Sequence, residues 1–248
     1  PAGNPRWRRE PRRWLQGTPQ AGDAGTTRTI TVTDDNAIGS DTEVFQIDVT
    51  GPPSISSTPP ASVEVGNTYT YTITAGGFPA PSFSVSGNPA WLTLSGNVLS
   101  GNPQASDAGT TGTITVTATN SQGNDTQNFT IDVNLAPTIT SSAPTTATTG
   151  QQYTYSITAD GYPAPGFSVS GNPSWLTLSG NVLSGTPAAS DIGTSGTITI
   201  TASNGVNPDD TEQFTITVSG VAPACTRTAP TTPPAAHTYP HTVTPSGT

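Results

Sequence analysis

Hydrophobic residues fall on every second position along this chain. The run Thr68 to Ala75, TYTYTITA, puts Tyr69, Tyr71 and Ile73 on one side and Thr70, Thr72 and Thr74 on the other. Thr113 to Ala118 does the same with Ile114, Val116 and Ala118, and Phe129, Ile131 and Val133 make a third set. A period of two, with β-branched and aromatic side chains on one side, predicts antiparallel strands with one face on a core and one in water. No stretch has the spacing of an amphipathic helix, so almost no helix is expected. Turn signals separate the strands. Ser95-Gly96-Asn97 divides a Leu92–Leu94 strand from a Val98–Leu99 strand, and Asn120 to Asn124 joins two long strands as a hairpin loop. Pro79 and Pro81 punctuate the connection after Phe78, at strand edges or outside ladders.

The pattern also recurs at a longer period. Phe83 to Gly101, FSVSGNPAWLTLSGNVLSG, returns 84 residues later at Phe167 to Gly185 with one change, Ala90 to Ser174. The chain is therefore an array: whole units at 51–134 and 135–219, the second part of a repeat at 1–50, and the first part of a further, incomplete one at 220–248. Ile30, Val32, Phe45, Ile47 and Val49 take the slots of Ile114, Val116, Phe129, Ile131 and Val133. Residues 1–16 keep this register but depart in chemistry, since Arg8 and Glu10 stand where Leu92 and Leu94 stand. Charges buried there would each cost several kcal/mol. Either this half-repeat is not folded, or residues 6–16 are read in a shifted frame. Pro223, Pro230, Tyr239 and Val243 track Pro137, Pro144, Tyr153 and Ile157, with Cys225 in the slot of Ile139. The second whole unit has one extra residue in the hairpin around Gly205 to Asp209, next to the turn pair Asn204-Gly205.

About seven short strands per unit of about 84 residues predict an all-β fold of tandem two-sheet sandwiches. Trp91 and Trp175, the largest side chains, are expected to plug the middle of each core.

Composition narrows the function. The chain has 248 residues, a net charge of −9 and no lysine, and five of its seven arginines lie in Arg6 to Arg13. That balance opposes nucleic acid and anionic lipid as partners. No apolar run approaches the roughly 20 residues of a membrane span. One cysteine leaves no disulfide within the chain. The first residue is Pro, and the chain reads as a piece of something longer.

Catalytic chemistry has little to work with. The two whole units contain no His, Cys or Lys, so neither a Ser-His-Asp nor a Cys-His arrangement can be built within them, and zinc ligation by imidazole or thiolate is excluded there. His237 and His241 sit four apart; on a strand that is about 13 Å, too far for one ion. Cys225 is read as a small core residue. Asp107 and Asp191, each followed by x-Gly-Thr, are read as turn acceptors over metal ligands. Asp34-Asp35 and Asp209-Asp210 are read as solvated loop acids. Tyr69, Tyr71 and Phe78 have the chemistry of a sugar-stacking platform, but the alternation turns the tyrosines inward. Asn124 and Asn128 are N-x-Thr acceptors for glycosylation. No catalytic, cofactor or metal residue is assigned.

The steps Gly66-x-x-Tyr69, Trp91-Leu92-Thr93-Leu94, Leu99-Ser100-Gly101-x-Pro103, Asp107-x-Gly109-Thr110 and Val116-Thr-Ala-Thr-Asn120 together resemble the putative Ig domain repeat of bacterial and archaeal surface proteins, beside the dystroglycan-type cadherin-like domains. The resemblance covers both whole units and both partial ones. It implies a non-catalytic stalk, spacer or adhesive segment of a larger cell-surface or secreted protein, partnered by neighbouring repeats and by another surface protein or a glycan. Alternatives are a carbohydrate-binding or spacer array of a secreted polysaccharide-degrading enzyme, and calcium-dependent adhesion. Cadherin-like relatives hold calcium at domain junctions. Here Asp132 to Pro137 and Asp48 to Pro53 resemble that linker without its dense acidic run, and Val218 to Pro223 has no acid. A calcium site takes about six to eight oxygens.

Overall fold

A computed structural model of the chain describes residues 15–25, 27–221, 224–225 and 245–246. Arg8, Glu10, His237 and His241 lie outside them, and of Cys225 only the backbone is described.

Strands come in the order the alternation predicts. The first fifty residues give β1 (Thr27–Asp35) and β2 (Ser40–Asp48). Then follow β3 (Gly51–Ile55), β4 (Ser62–Glu64), β5 (Tyr69–Thr72), β6 (Ala75–Phe78), β7 (Ser82–Ser86), β8 (Leu92–Ser95), β9 (Val98–Gly101), β10 (Gly109–Thr110), β11 (Ile114–Asn120) and β12 (Gly123–Phe129). β13 (Asp132–Ile139) leads into β14 (Thr146–Thr148), β15 (Tyr153–Ser156), β16 (Ala159–Tyr162), β17 (Gly166–Ser170), β18 (Leu176–Ser179), β19 (Val182–Gly185), β20 (Gly193–Thr194), β21 (Ile198–Ser203), β22 (Asp210–Phe214) and β23 (Thr217–Ser219). Two-residue strands at Ala224–Cys225 and Pro245–Ser246 pair with each other. Among the described residues the only helical segments are 3-10 turns at Ala21–Asp23, Ala105–Asp107 and Ala189–Asp191.

The chain packs as two compact units. Of the described residues, one holds those up to 60, with 69–101 and 112–130; the other holds 61–68, 102–111 and those from 131 onward. In the first, β11 lies between β7 and β12, β9 between β5 and β8, and β3 pairs with β6. β1 and β2 form a hairpin in which Ile30 faces Phe45, the register of Ile114 and Phe129 in β11 and β12. The predicted inward residues are buried: Tyr69, Tyr71, Ile73, Ile114, Val116 and Ala118, joined by Leu92 and Leu99. The first hairpin differs. Val32 is 45% and Ile47 43% exposed, whereas Val116 and Ile131 at the matching slots are fully buried.

In the second unit β13 pairs antiparallel with β10, parallel with β4 and, towards its end, antiparallel with β16. β14 runs parallel to β23, which pairs antiparallel with β20. β19 lies between β15 and β18, and β21 between β17 and β22. Tyr153, Tyr155, Ile157, Leu176, Leu183, Ile198, Ile200, Phe214, Ile216 and Val218 meet in one buried cluster. At roughly 1.5–3 kcal/mol for each large apolar side chain removed from water, burial of this cluster is the main stabilising term of the second unit.

Two expectations are corrected. The strand drawn through Phe129, Ile131 and Val133 is two strands. β12 ends at Phe129 opposite Ile114, and β13 resumes with Val133 opposite Gly109 and Val63. The second copy breaks likewise between Phe214 and Thr217. All three side chains still point inward because the break uses two residues and preserves the period. The tryptophans do not fill the centres. Trp91 and Trp175 sit half-buried in the turns before β8 and β18, edge-on to Tyr69 at 6.3 Å and Tyr153 at 6.1 Å. The interior beside them is already occupied by Leu92 and Leu99, and by Leu176 and Leu183, all fully buried.

Candidate functional site

Several of the acidic residues that invite a chemical reading are committed to the backbone. Asp107 Oδ2 accepts the N–H of Gln104 at 2.8 Å, Asp191 Oδ2 that of Ala188 at 2.7 Å, and Asp23 Oδ2 that of Gln20 at 2.8 Å. Each closes a 3-10 turn, as the repetition of Asp-x-Gly-Thr at one slot predicts. Asp125 and Asp210 bridge strands instead. Their Oδ2 atoms accept the N–H groups of Ile55 and Ile139, both at 2.7 Å, and their Oδ1 atoms those of Thr126 and Thr211, both at 2.9 Å. Asp210 is not the solvated loop acid that its Asp209-Asp210 pairing predicts: it is half-buried and holds β13. Asp132, the junction acid, accepts the Thr110 hydroxyl at 2.6 Å, and that hydroxyl also meets the Tyr162 hydroxyl at 2.7 Å. Among the described residues no three Asp, Glu, His or Cys side chains come together.

The tyrosines of the would-be stacking platform lie inside: Tyr69 is 2% and Tyr71 3% exposed, and Phe78 is half-buried. Their hydroxyls reach the edge of the core and are paired there. Tyr69 donates to the Pro60 carbonyl at 3.1 Å, and Tyr153 to the Pro144 carbonyl at 2.8 Å. Tyr71 donates to Gln127 Oε1, and Tyr155 to Glu212 Oε2, both at 2.6 Å. Burial first, then the neighbouring Tyr155 and Glu212, push the Tyr153 hydroxyl up to about 12. Burial again, then the hydrogen bond to Glu212, push Tyr155 up to about 12 against a smaller lowering by Ser141. Both are neutral donors at physiological pH.

Gln127 and Glu212 belong to no motif in the sequence. The available signal was a polar residue in the inward phase of the last hairpin strand, where Asp125, Gln127 and Phe129 alternate. Asn120 and Asn204 are clamps as well as turn residues, and the turn pair Asn204-Gly205 gives no sign of it. Asn204 Nδ2 donates to the carbonyls of Leu135 and Pro163, each at 2.8 Å, while its Oδ1 accepts the Val206 N–H at 3.0 Å. Asn120 does the same with Gly51, Pro79 and Gln122.

One face towards water is uniform. On the outer side of β7, β11 and β12, Ser82, Ser84 and Ser86 lie beside Thr119, Thr117 and Thr115, which lie beside Asn124, Thr126 and Asn128. This three-by-three grid carries no charge and no large side chain, and both N-x-Thr asparagines stand on it, exposed.

Residues 52–134 and 136–219 each match the family model described as Putative Ig domain. The chain belongs to the Putative Ig domain family. Its Ig domains share their fold with solved Ig arrays. An E-to-A variant of a three-Ig titin fragment superposes with a TM-score of 0.50 at 19% identity, over 79% of this chain and 75% of that one. Sidekick-1 immunoglobulin domains 1–4 give 0.53 at 17% identity, over 81% and 60%. Dpr11 IG1 bound to DIP-gamma gives 0.51 at 17% identity, over 67% and 98%. No curated protein matches the chain. No helix among the described residues is long and apolar enough to cross a membrane.

Proposed function

We propose that these Ig domains are non-catalytic spacer and adhesion modules of a larger cell-surface or secreted protein, with residues 15–50 and 220–248 belonging to further copies of the same repeat. The observation that carries this reading is where the reactive side chains go. Asp107, Asp125, Asp191 and Asp210 accept backbone N–H groups, and the tyrosine hydroxyls close the core edge. The aspartate commitments, Asp107 with Asp191 and Asp125 with Asp210, are the same in both domains and fit a part selected to be repeated. The function is then to set a distance between whatever flanks the array. In small-angle scattering, a chain carrying one added copy of residues 135–219 gains maximum dimension by a fixed increment per copy. A dimension that stays constant as copies are added defeats the reading.

One observation favours a second reading, a carbohydrate-binding array. The uncharged hydroxyl and amide grid on β7, β11 and β12 matches the chemistry of a neutral polysaccharide. Retention on an insoluble neutral glucan, lost in Thr117→Glu, would support it; free passage would remove it.

A further inference from the structure

One slot in the two domains carries hydrogen bonds of opposite sense. In the first domain Gln127 accepts the Tyr71 hydroxyl through Oε1 and donates through Nε2 to the Ser57 carbonyl at 2.8 Å. In the second, Glu212 accepts the Tyr155 hydroxyl through Oε2 and the Ala143 N–H through Oε1 at 2.8 Å. The opening segments explain the difference. Ala143 stands where the first domain has Pro59, and proline has no N–H to give. A carboxylate at position 127 would find no donor there and would face the Ser57 carbonyl, acceptor against acceptor. Glutamine reverses the polarity at the one atom where it must be reversed. The rest of the arrangement is held constant: the hydroxyls of Ser57 and Ser141 meet those of Tyr71 and Tyr155 at 2.7 Å, and each serine Oγ accepts the N–H of Thr74 or Thr158 at 2.9 Å.

We propose that Pro59–Gln127 and Ala143–Glu212 form a matching code that keeps each domain's opening segment on its own last hairpin, and so suppresses strand exchange between neighbouring copies. Exchange is the characteristic failure of tandem repeats, because the wrong partner is tethered at high effective concentration. It is acute here, where the stretch from Phe83 to Gly101 recurs with a single change. Were the Pro59 segment to dock on β22, Glu212 Oε1 would lose its donor and meet the Ser57 carbonyl. The reciprocal product, Gln127 opposite Ala143, can be satisfied, since an amide oxygen takes two donors. One mismatched half is enough to disfavour the pairwise swap. Such a mismatch is a device against the wrong structure, and it operates whatever the array carries or binds.

The test uses the full chain. Gln127→Glu lowers the melting temperature of one transition by roughly 5–10 °C, and adding Pro59→Ala recovers most of that loss. The double variant then presents the same code in both domains. In interrupted refolding, which counts species by their unfolding rates, it accumulates a misassembled fraction several-fold above the parent chain. The reverse pair Ala143→Pro with Glu212→Gln homogenises the code from the other side and serves if the first double variant fails to fold. Absence of rescue by Pro59→Ala refutes the pairing. A rescued double variant that misassembles no more than the parent refutes the code.

Discussion

Tyr153 and Tyr155 each join a buried ring to a hydroxyl that must stay protonated. An unfolded tyrosine titrates near 10, and both of these are pushed up to about 12, first by burial. A group whose folded value is raised gives stability that is complete below its unfolded value and is lost as pH climbs to the folded one. The second domain is therefore expected to hold its melting temperature up to about pH 10 and to lose it progressively between about pH 10 and 12. Tyrosinate absorbance should lag behind that of free tyrosine over the same interval and catch up only as the core opens. A titration in which all tyrosines ionise together near 10, with the fold intact, contradicts the buried hydroxyl pairs. At this scale the sequence told where side chains point and not what they touch. Alternation places Tyr155 inward without help. That its hydroxyl finds Glu212, 57 residues away, depends on the closure of the sandwich, which no local pattern encodes.

The strands themselves were legible because their period is short and their inward residues are β-branched or aromatic. Two things were not. The sheet switch after Phe129 hides in the sequence, since a two-residue break leaves the in-and-out phase unchanged. Size alone puts the tryptophans at the centre, whereas Trp91 and Trp175 precede their strands, and the space inside belongs to the leucines that follow. The corner below each tryptophan makes its own demand. Gly185 lies opposite Leu176 across β18 and β19, and a Cβ there would fall 1.8 Å from the Trp175 carbonyl oxygen; Gly101 stands equally close to Trp91. Backbone atoms cannot yield as a flexible side chain would. Gly185→Ala should cost the second domain at least about 3 kcal/mol, read as a fall in its denaturant midpoint. A loss within 0.5 kcal/mol, the usual range for a harmless surface change, would mean that this corner relaxes freely.

Across the whole molecule, repetition is the property that organises everything else. The 84-residue spacing in the sequence reappears as the same pairings at the same registers, from Tyr71 opposite Leu99 to Tyr155 opposite Leu183. The array could be read from the sequence because self-similarity survives without knowledge of contacts. The function could not, because the two whole units carry no His, Cys or Lys and no pattern that gathers reactive side chains into a motif. One pairing bears on what such an array does when it is stretched. In the second domain β14, near the entry of the chain, lies parallel to β23, near its exit. Ladder bonds join Thr146–Thr148 to Thr217–Ser219, extended by Thr149 N–H to the Ser219 carbonyl at 3.0 Å and Thr217 N–H to the Thr145 carbonyl at 2.9 Å. Tension applied to the two ends pulls these strands past each other lengthwise, so the bonds must give way together instead of unzipping in turn. Single-molecule extension should record one abrupt high-force rupture for this domain, and Thr217→Pro, which removes a bond at the seam, should lower that force while leaving the far hairpins intact.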